Sequence, residues 1–178
     1  MQNIKINDQG IYLDANFIAS PNRDARPDAN DISLIVIHNI SLPPNQYGGD
    51  AVTALFTNQL DPKAHPYYAE ISHLKVSSHF FIRRDGSIIQ FASCNDRAWH
   101  AGKSIWEGRE QCNDFSIGIE LEGSDYEAFE PPQYQTLNVL IEAIKVKYPI
   151  KAITGHSNIA PDRKTDPGPY FDWSSIHT

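Results

Sequence analysis

Cysteine is scarce in this chain of 178 residues, which has only Cys94 and Cys112. Two thiols rule out a disulfide framework and a thiolate zinc cluster, so both read as reduced, packed side chains. There is no basic excess either: the formal charge is −7. That argues against nucleic acid as a general partner, because a phosphate-binding surface needs surplus Lys and Arg. Long apolar runs are missing too. The longest, "ISLIVI" from Ile32 to Ile37, is too short to cross a bilayer and contains a serine. The opening "MQNIKINDQGIYLD" lacks the apolar stretch of a secretory signal. Together these absences point to a cytoplasmic protein with no membrane partner. No repeat, low-complexity tract or charge block suggests an obligate protein partner.

What is present is ordinary for one folded domain: 40% hydrophobic and 21% charged residues. The whole chain, 1–178, reads as one domain, with a loop-rich segment over about 1–30 packed on it. "DISLIVIH" reads as a strand buried on both faces and ending at His38. Asp50 is placed to cap a short helix through "AVTALFTNQL". "DPKAHPYYAEISHLKV" gives no clear signal. In "SSHFFIRRDGSIIQFAS", two apolar runs flank Asp85-Gly86 and predict a hairpin. "FSIGIELEG" is a strand. "PPQYQTLNVLIEAIKVKYP" has apolar residues at helical spacing between prolines. "KAITGH" is a last short strand. The order predicts an α/β (α+β) fold with a central mixed β-sheet flanked by helices.

The chemistry concentrates at strand ends. His38 and His156 close two strands, and Asp166 lies on the segment "TGHSNIAPDRKTDPGP", which holds three prolines and two glycines. Two imidazoles and a carboxylate suit Zn2+ with a fourth position left for water. The prolines would stiffen the loop that carries Asp166. A lone strand-end histidine is commonly structural, and seven histidines are available here. In "SIGIELEG", alternation places Gly118, Glu120 and Glu122 on one face. The glycine leaves room for a ligand against the backbone. Either acid could serve as a general base, and spacing does not choose between them. Lys164 could stabilise an oxyanion or simply lie on the surface beside Arg163. "RAWHAG" offers Trp99 and His100 in a loop. Trp99 can stack on a sugar or cap the core. His79 shares a strand face with Phe81 and reads as a packed core histidine.

The stretches "IVIHNISLPP", "HFFIRRDG", "RAWHAG", "CNDFSIGIELEG" and "GHSNIAPDRKTDPGPYFDW" carry a resemblance. Together they resemble the zinc-dependent N-acetylmuramoyl-L-alanine amidases related to peptidoglycan-recognition proteins. The similarity spans roughly residues 10–175 and is strongest to the cytosolic branch that acts on 1,6-anhydro wall fragments. It implies that His38, His156 and Asp166 hold one Zn2+ per chain. It also implies that Glu120 is the catalytic acid/base, that Lys164 stabilises the transition state, and that Asn39 and Trp99 line the substrate groove. Two departures stand out: Lys75 and Gln111 occupy positions where arginine is expected. Lys75 keeps a charge that can meet a stem-peptide carboxylate, but without the planar fork; Gln111 keeps no charge.

The implied reaction is hydrolysis of the amide between the lactyl group of (1,6-anhydro)-N-acetylmuramic acid and L-alanine. The substrate is a small soluble muropeptide, and the role is peptidoglycan recycling. In the family this also removes the fragments that induce chromosomal β-lactamase. Two rival readings are a zinc-free binding module and a lytic amidase acting on intact wall. The filled ligand positions oppose the first, and the missing signal and wall-binding module oppose the second. A third rival is a metal-free soluble domain.

Overall fold

The apolar runs assemble into a six-stranded mixed sheet with helices on both faces. The structure is a computed structural model and describes residues 5–177. In chain order the strands are β1 (Asn16–Phe17), β2 (Arg23–Ala25), β3 (Leu34–Ile40), β4 (Phe80–Ile82), β5 (Ile88–Gln90), β6 (Asp96–Ala98), β7 (Ile105–Trp106), β8 (Arg109–Glu110), β9 (Ser116–Glu122) and β10 (Ala152–Gly155). The α-helices are α1 (Ala51–Phe56), α2 (Pro66–Ile71), α3 (Pro131–Lys147) and α4 (His156–Ile159). The main sheet has the order β1-β5-β4-β9-β3-β10. Within it β4, β9, β3 and β10 run parallel, while β5 is antiparallel to β4. The expected α/β single domain with a mixed sheet is what forms.

Alternation along the central strands divides the interior. Ile35 and Ile37 of β3, with Ile117, Ile119 and Leu121 of β9, pack in one cluster with Leu137, Leu140, Ile141 and Ile144 of α3. The helical spacing read in the sequence is that buried stripe. On the other face two smaller clusters form. One joins Phe81, Ile89 and Phe91 to Val52, Leu55 and Phe56 of α1 and Tyr68 of α2. The other joins Leu34 and Val36 to Ala101, Cys112, Phe115 and Ile159. The polar residues His38, Glu120 and Glu122 belong to this second face of the sheet.

The loop-rich N-terminal segment is tied to the sheet. β1 extends it alongside β5, and Ile6 and Tyr12 join the α3-side core. The hairpin forms as expected, with Gly86 at φ 84° in its turn.

Several boundaries differ from the sequence reading. β3 continues two residues past His38 to Ile40, because β9 pairs with it as far as Glu122. α1 stops at Phe56 instead of running through Leu60; Asn58 takes a left-handed φ of 60°, which asparagine tolerates. Asp50 sits at the N-cap without a side-chain capping bond, and its carboxylate accepts from Arg83 at 3.3 Å instead. The unread segment folds as α2, with Pro66 at its start and His65 capping it: Nδ1 accepts from the Tyr67 amide at 3.1 Å. β10 ends at Gly155, so His156 opens the one-turn helix α4.

Candidate active site

Register brings the predicted residues together. His38 on β3 is paired with Glu120 on β9, and Ile37 is paired with Gly155 on β10. His156 follows Gly155, so it arrives beside His38. β3, β9 and β10 are parallel, so their C-terminal ends share one edge, where α/β sheets place ligands.

Asp166 reaches the same point from the stiff loop. Its carbonyl accepts from the Ser157 amide at 2.9 Å, and the Asn39 side chain donates to the Pro167 carbonyl at 3.0 Å. Pro167 lies against Gly155, where a β-carbon would come within 2.6 Å of the proline ring. Arg163 donates to the carbonyls of Ala101 and Lys103 at 2.8 and 2.9 Å, joining this loop to the "RAWHAG" segment.

The three predicted ligands converge. Nδ1 of His38 is 3.0 Å from Nδ1 of His156, and Oδ2 of Asp166 is 2.9 and 3.1 Å from those nitrogens. Bonds of about 2.0–2.1 Å to tetrahedral zinc would set such atoms about 3.3 Å apart. Nε2 of His156 lies 3.1 Å from the Ala101 carbonyl, which can only accept. The His156 proton is therefore on Nε2, and its bare Nδ1 faces the centre. A bare, buried imidazole nitrogen beside a largely buried carboxylate calls for a cation. The donor set fits a metal of the zinc type.

The charge states agree. Burial lowers the pKa of His38, against the pull of Asp166, so the imidazole is neutral. Burial raises the pKa of Asp166, but the neighbouring His156 and His38 outweigh it and hold the carboxyl below its usual range. Burial pushes Glu120 well above the usual carboxylate range; the charge of Asp166 adds to this and that of Lys164 opposes it.

Glu120 and Glu122 part company here. Oε1 of Glu120 is 3.9 Å from Nδ1 of His38, and Oε2 is buried with no hydrogen-bond partner among the described residues. Glu122 is fully engaged in structure, accepting from the amides of Gly48 at 2.6 Å and Arg84 at 3.0 Å. The choice that alternation left open has a visible physical difference.

A cleft of about 500 Å³ opens over the triad. Asn39, Trp99, Glu120 and Lys164 line it together with the three ligands. The amide nitrogen of Asn39 is already used, donating to Asp125 at 2.8 Å as well as to Pro167. Lys75 is exposed and does not line the cleft, although its neighbours Leu74 and Val76 do. Gln111 is exposed on the β8 side and does not line it either.

One sequence reading needs correction. The space above Gly118 does not admit a ligand: a β-carbon there would lie 2.5 Å from the His100 ring, which fills it. His79 is buried as expected and fully bonded. Its Nδ1 accepts from the Gly118 amide at 3.0 Å, so its Nε2–H donates to the Asp96 carbonyl at 3.0 Å. The apolar side of the cleft was not anticipated. It comes from Leu42, Leu55, Phe56, Tyr67, Ile71 and Leu74, mostly on α1 and α2. The aromatic pair in "AHPYYAEI" was the available signal for it.

Comparison with known proteins adds a decisive match. The family profile described as N-acetylmuramoyl-L-alanine amidase aligns with residues 28–169. The chain belongs to this family. It is 56% identical to the 1,6-anhydro-N-acetylmuramyl-L-alanine amidase AmpD of Citrobacter freundii, over 94% of this chain and 90% of that one. A crystal structure of a selenomethionyl AmpD derivative superposes with a TM-score of 0.93 at 55% identity, covering 95% of this chain and 96% of that one. The Escherichia coli amidase AmiD is more distant, at 32% identity and a TM-score of 0.61 over 85% of this chain and 58% of that one. That structure is a complex with anhydro-N-acetylmuramic acid-L-Ala-D-gamma-Glu-L-Lys. Among the described residues, no helix is long and apolar enough to cross a membrane.

Proposed function

We propose that this chain is a zinc-dependent 1,6-anhydro-N-acetylmuramyl-L-alanine amidase that cleaves small muropeptides in the cytoplasm during wall recycling. The observation that carries this is the pairing of two things at one strand edge. Three metal-type donor atoms converge, and the carboxylate of Glu120 stands beside them with a buried, unpartnered oxygen. Buried polar atoms are almost always bonded, so an orphan in a cleft marks a place for a reacting group. Membership of the amidase family supplies the reaction class.

His38, His156 and Asp166 would hold the zinc, with Nδ1, Nδ1 and Oδ2 as donors. When bound, the metal supplies Lewis-acid activation of water and of the scissile carbonyl. Glu120 takes the proton from the attacking water. Its buried Oε2, without a partner among the described residues, is open to receive that proton. Lys164 lines the same cleft, and its charge stabilises the oxyanion that develops on the lactyl carbonyl. Glu120 then delivers its proton to the departing amine of L-alanine. The products are the sugar acid and a free peptide.

The cleft suits a soluble fragment, since its volume falls in the range of about 300–1,000 Å³ typical of small-ligand sites. Trp99 covers an apolar sugar face. Lys75, exposed and outside the cleft lining, offers only a solvated charge to a stem carboxylate, worth about 0–1 kcal/mol. Asn39 acts chiefly by holding the ligand loop.

The test is mass-spectrometric product analysis on three substrates: an anhydromuramoyl tripeptide, its reducing-end counterpart and insoluble sacculi. The expected result is release of peptide with a free N-terminal alanine, with kcat/KM highest on the anhydro compound. Equal rates on all three would replace the recycling role with that of a general wall amidase. No peptide release from any of them would withdraw the amidase assignment.

A further inference from the structure

The polar groups behind the metal triad form a hydrogen-bond chain with one permitted direction. The Ser116 hydroxyl lies 2.6 Å from the Cys112 carbonyl and 3.1 Å from Nε2 of His100. A carbonyl can only accept, so the hydroxyl proton goes to Cys112 and an oxygen lone pair faces His100. Nε2 of His100 therefore carries a proton and donates it. In the neutral ring Nδ1 is then a bare acceptor, 2.9 Å from Nε2 of His38. His38 must donate through Nε2, which leaves its Nδ1 bare and aimed at His156 and Asp166. We propose that His100, oriented by Ser116, is a positioning residue that fixes His38 in the tautomer presenting Nδ1 to the metal. The proposal rests on the metal-site reading given above.

The surroundings are built around this ring. His100 lies against bare backbone at Gly118, where any β-carbon would come within 2.5–2.8 Å of the imidazole. That glycine is itself held by His79, which accepts from its amide at 3.0 Å. The amides of His100 and Ala101 both donate to the Asn113 side chain, at 3.1 and 2.8 Å. The next carbonyl, that of Ala101, accepts the Nε2–H of the other ligand imidazole, His156, at 3.1 Å. Two consecutive residues thus orient both metal imidazoles from behind, one by side chain and one by main chain. His100 is not a fourth ligand, because its Nδ1 meets His38 on the side of the ring turned away from the triad.

Partners of this kind on metal-bound histidines typically change metal affinity by about 10–100-fold when removed. The experiment uses the full chain, stripped of metal and titrated with zinc alone against a chromogenic chelator. His100→Phe keeps bulk and removes the acceptor; its zinc Kd is expected to rise by about 10–100-fold. His100→Gln can still accept from His38 and donate to Ser116, and is expected to recover most of the affinity. Nitrogen-15 spectra of histidine-labelled, metal-free chain should place the His38 proton on Nε2 in the wild type and distribute it over both nitrogens in His100→Phe. If His100→Phe fails to fold, Ser116→Ala should show a smaller shift in the same direction. Unchanged zinc affinity and an unchanged His38 tautomer in a folded variant would overturn the proposal. If the wild type itself binds no zinc, the metal-site reading fails separately, and the tautomer spectra still decide the role of His100.

Discussion

Glu120 and His38 are register partners on neighbouring parallel strands, with 3.9 Å between Oε1 and Nδ1. Two residues further along the same face, Glu122 is tied to two backbone amides. This separates their expected effects. Glu120→Gln should retain zinc and lower kcat by about 10²–10⁴, the span for a lost general acid/base. Glu122→Gln should keep most activity but lower the melting temperature, because it weakens two charge-assisted bonds. Metal analysis, kinetics and thermal unfolding of both variants check this. A kcat loss confined to Glu122→Gln would reverse the assignment.

Asp166 supplies the one anionic donor of the triad. Asp166→Ala leaves two facing imidazole nitrogens and should weaken zinc retention severely. Asp166→Cys replaces it with a thiolate, also a good zinc ligand, and should retain metal far better. Zinc content after gel filtration through a chelating buffer measures the order. Equal retention by wild type and Asp166→Ala would remove Asp166 from the ligand set.

The convergence of His38, His156 and Asp166 was foreshadowed in the sequence because ligand chemistry is local: histidines at two strand ends and an aspartate in a proline-rich loop. The α3 stripe and the β9 alternation were equally readable, since burial imposes their periods. Other features depend on what the fold brings alongside. The space over Gly118 looked like room for a ligand until His100, from another segment, filled it. Glu120 and Glu122 are equivalent by alternation and differ only in their neighbours. α2 was obscured because six residues with a capping histidine carry too little periodicity. The pattern of "KAITGH" puts His156 at a strand end, but the chain turns helical at that residue.

Asn39 separates substrate contact from loop support. Its side-chain amide joins Asp125 and the Pro167 carbonyl, next to the candidate ligand Asp166. Asn39→Ala should therefore raise the zinc Kd and lower kcat, because the loop loses its tether. A purely substrate-binding role would instead raise KM and leave zinc affinity alone. Zinc competition and steady-state kinetics on the same preparation distinguish the two.

His79 sets a pH dependence that can be followed at one residue. It is completely buried, and burial followed by the charge of Arg26 pushes its pKa from 6.5 down to about 3; the bond to the Asp96 carbonyl only partly opposes this. In the unfolded chain the ring takes a proton as pH falls through about 6.5. In the folded chain it stays neutral until about pH 3. Across that window the unfolded state binds more protons, so stability falls as pH falls. Above pH 6.5 both states are neutral at this ring, and its contribution is fully kept. The imidazole spectrum of His79 should show no titration from pH 8 to pH 4. His79→Gln keeps an acceptor and a donor but cannot titrate. Its stability deficit against the wild type should be largest near neutral pH and should narrow as the pH is lowered toward 4. Denaturant unfolding of both chains across this range measures the difference. A His79 ring that titrates near 6.5 in the folded protein would overturn the claim that burial and Arg26 hold it neutral.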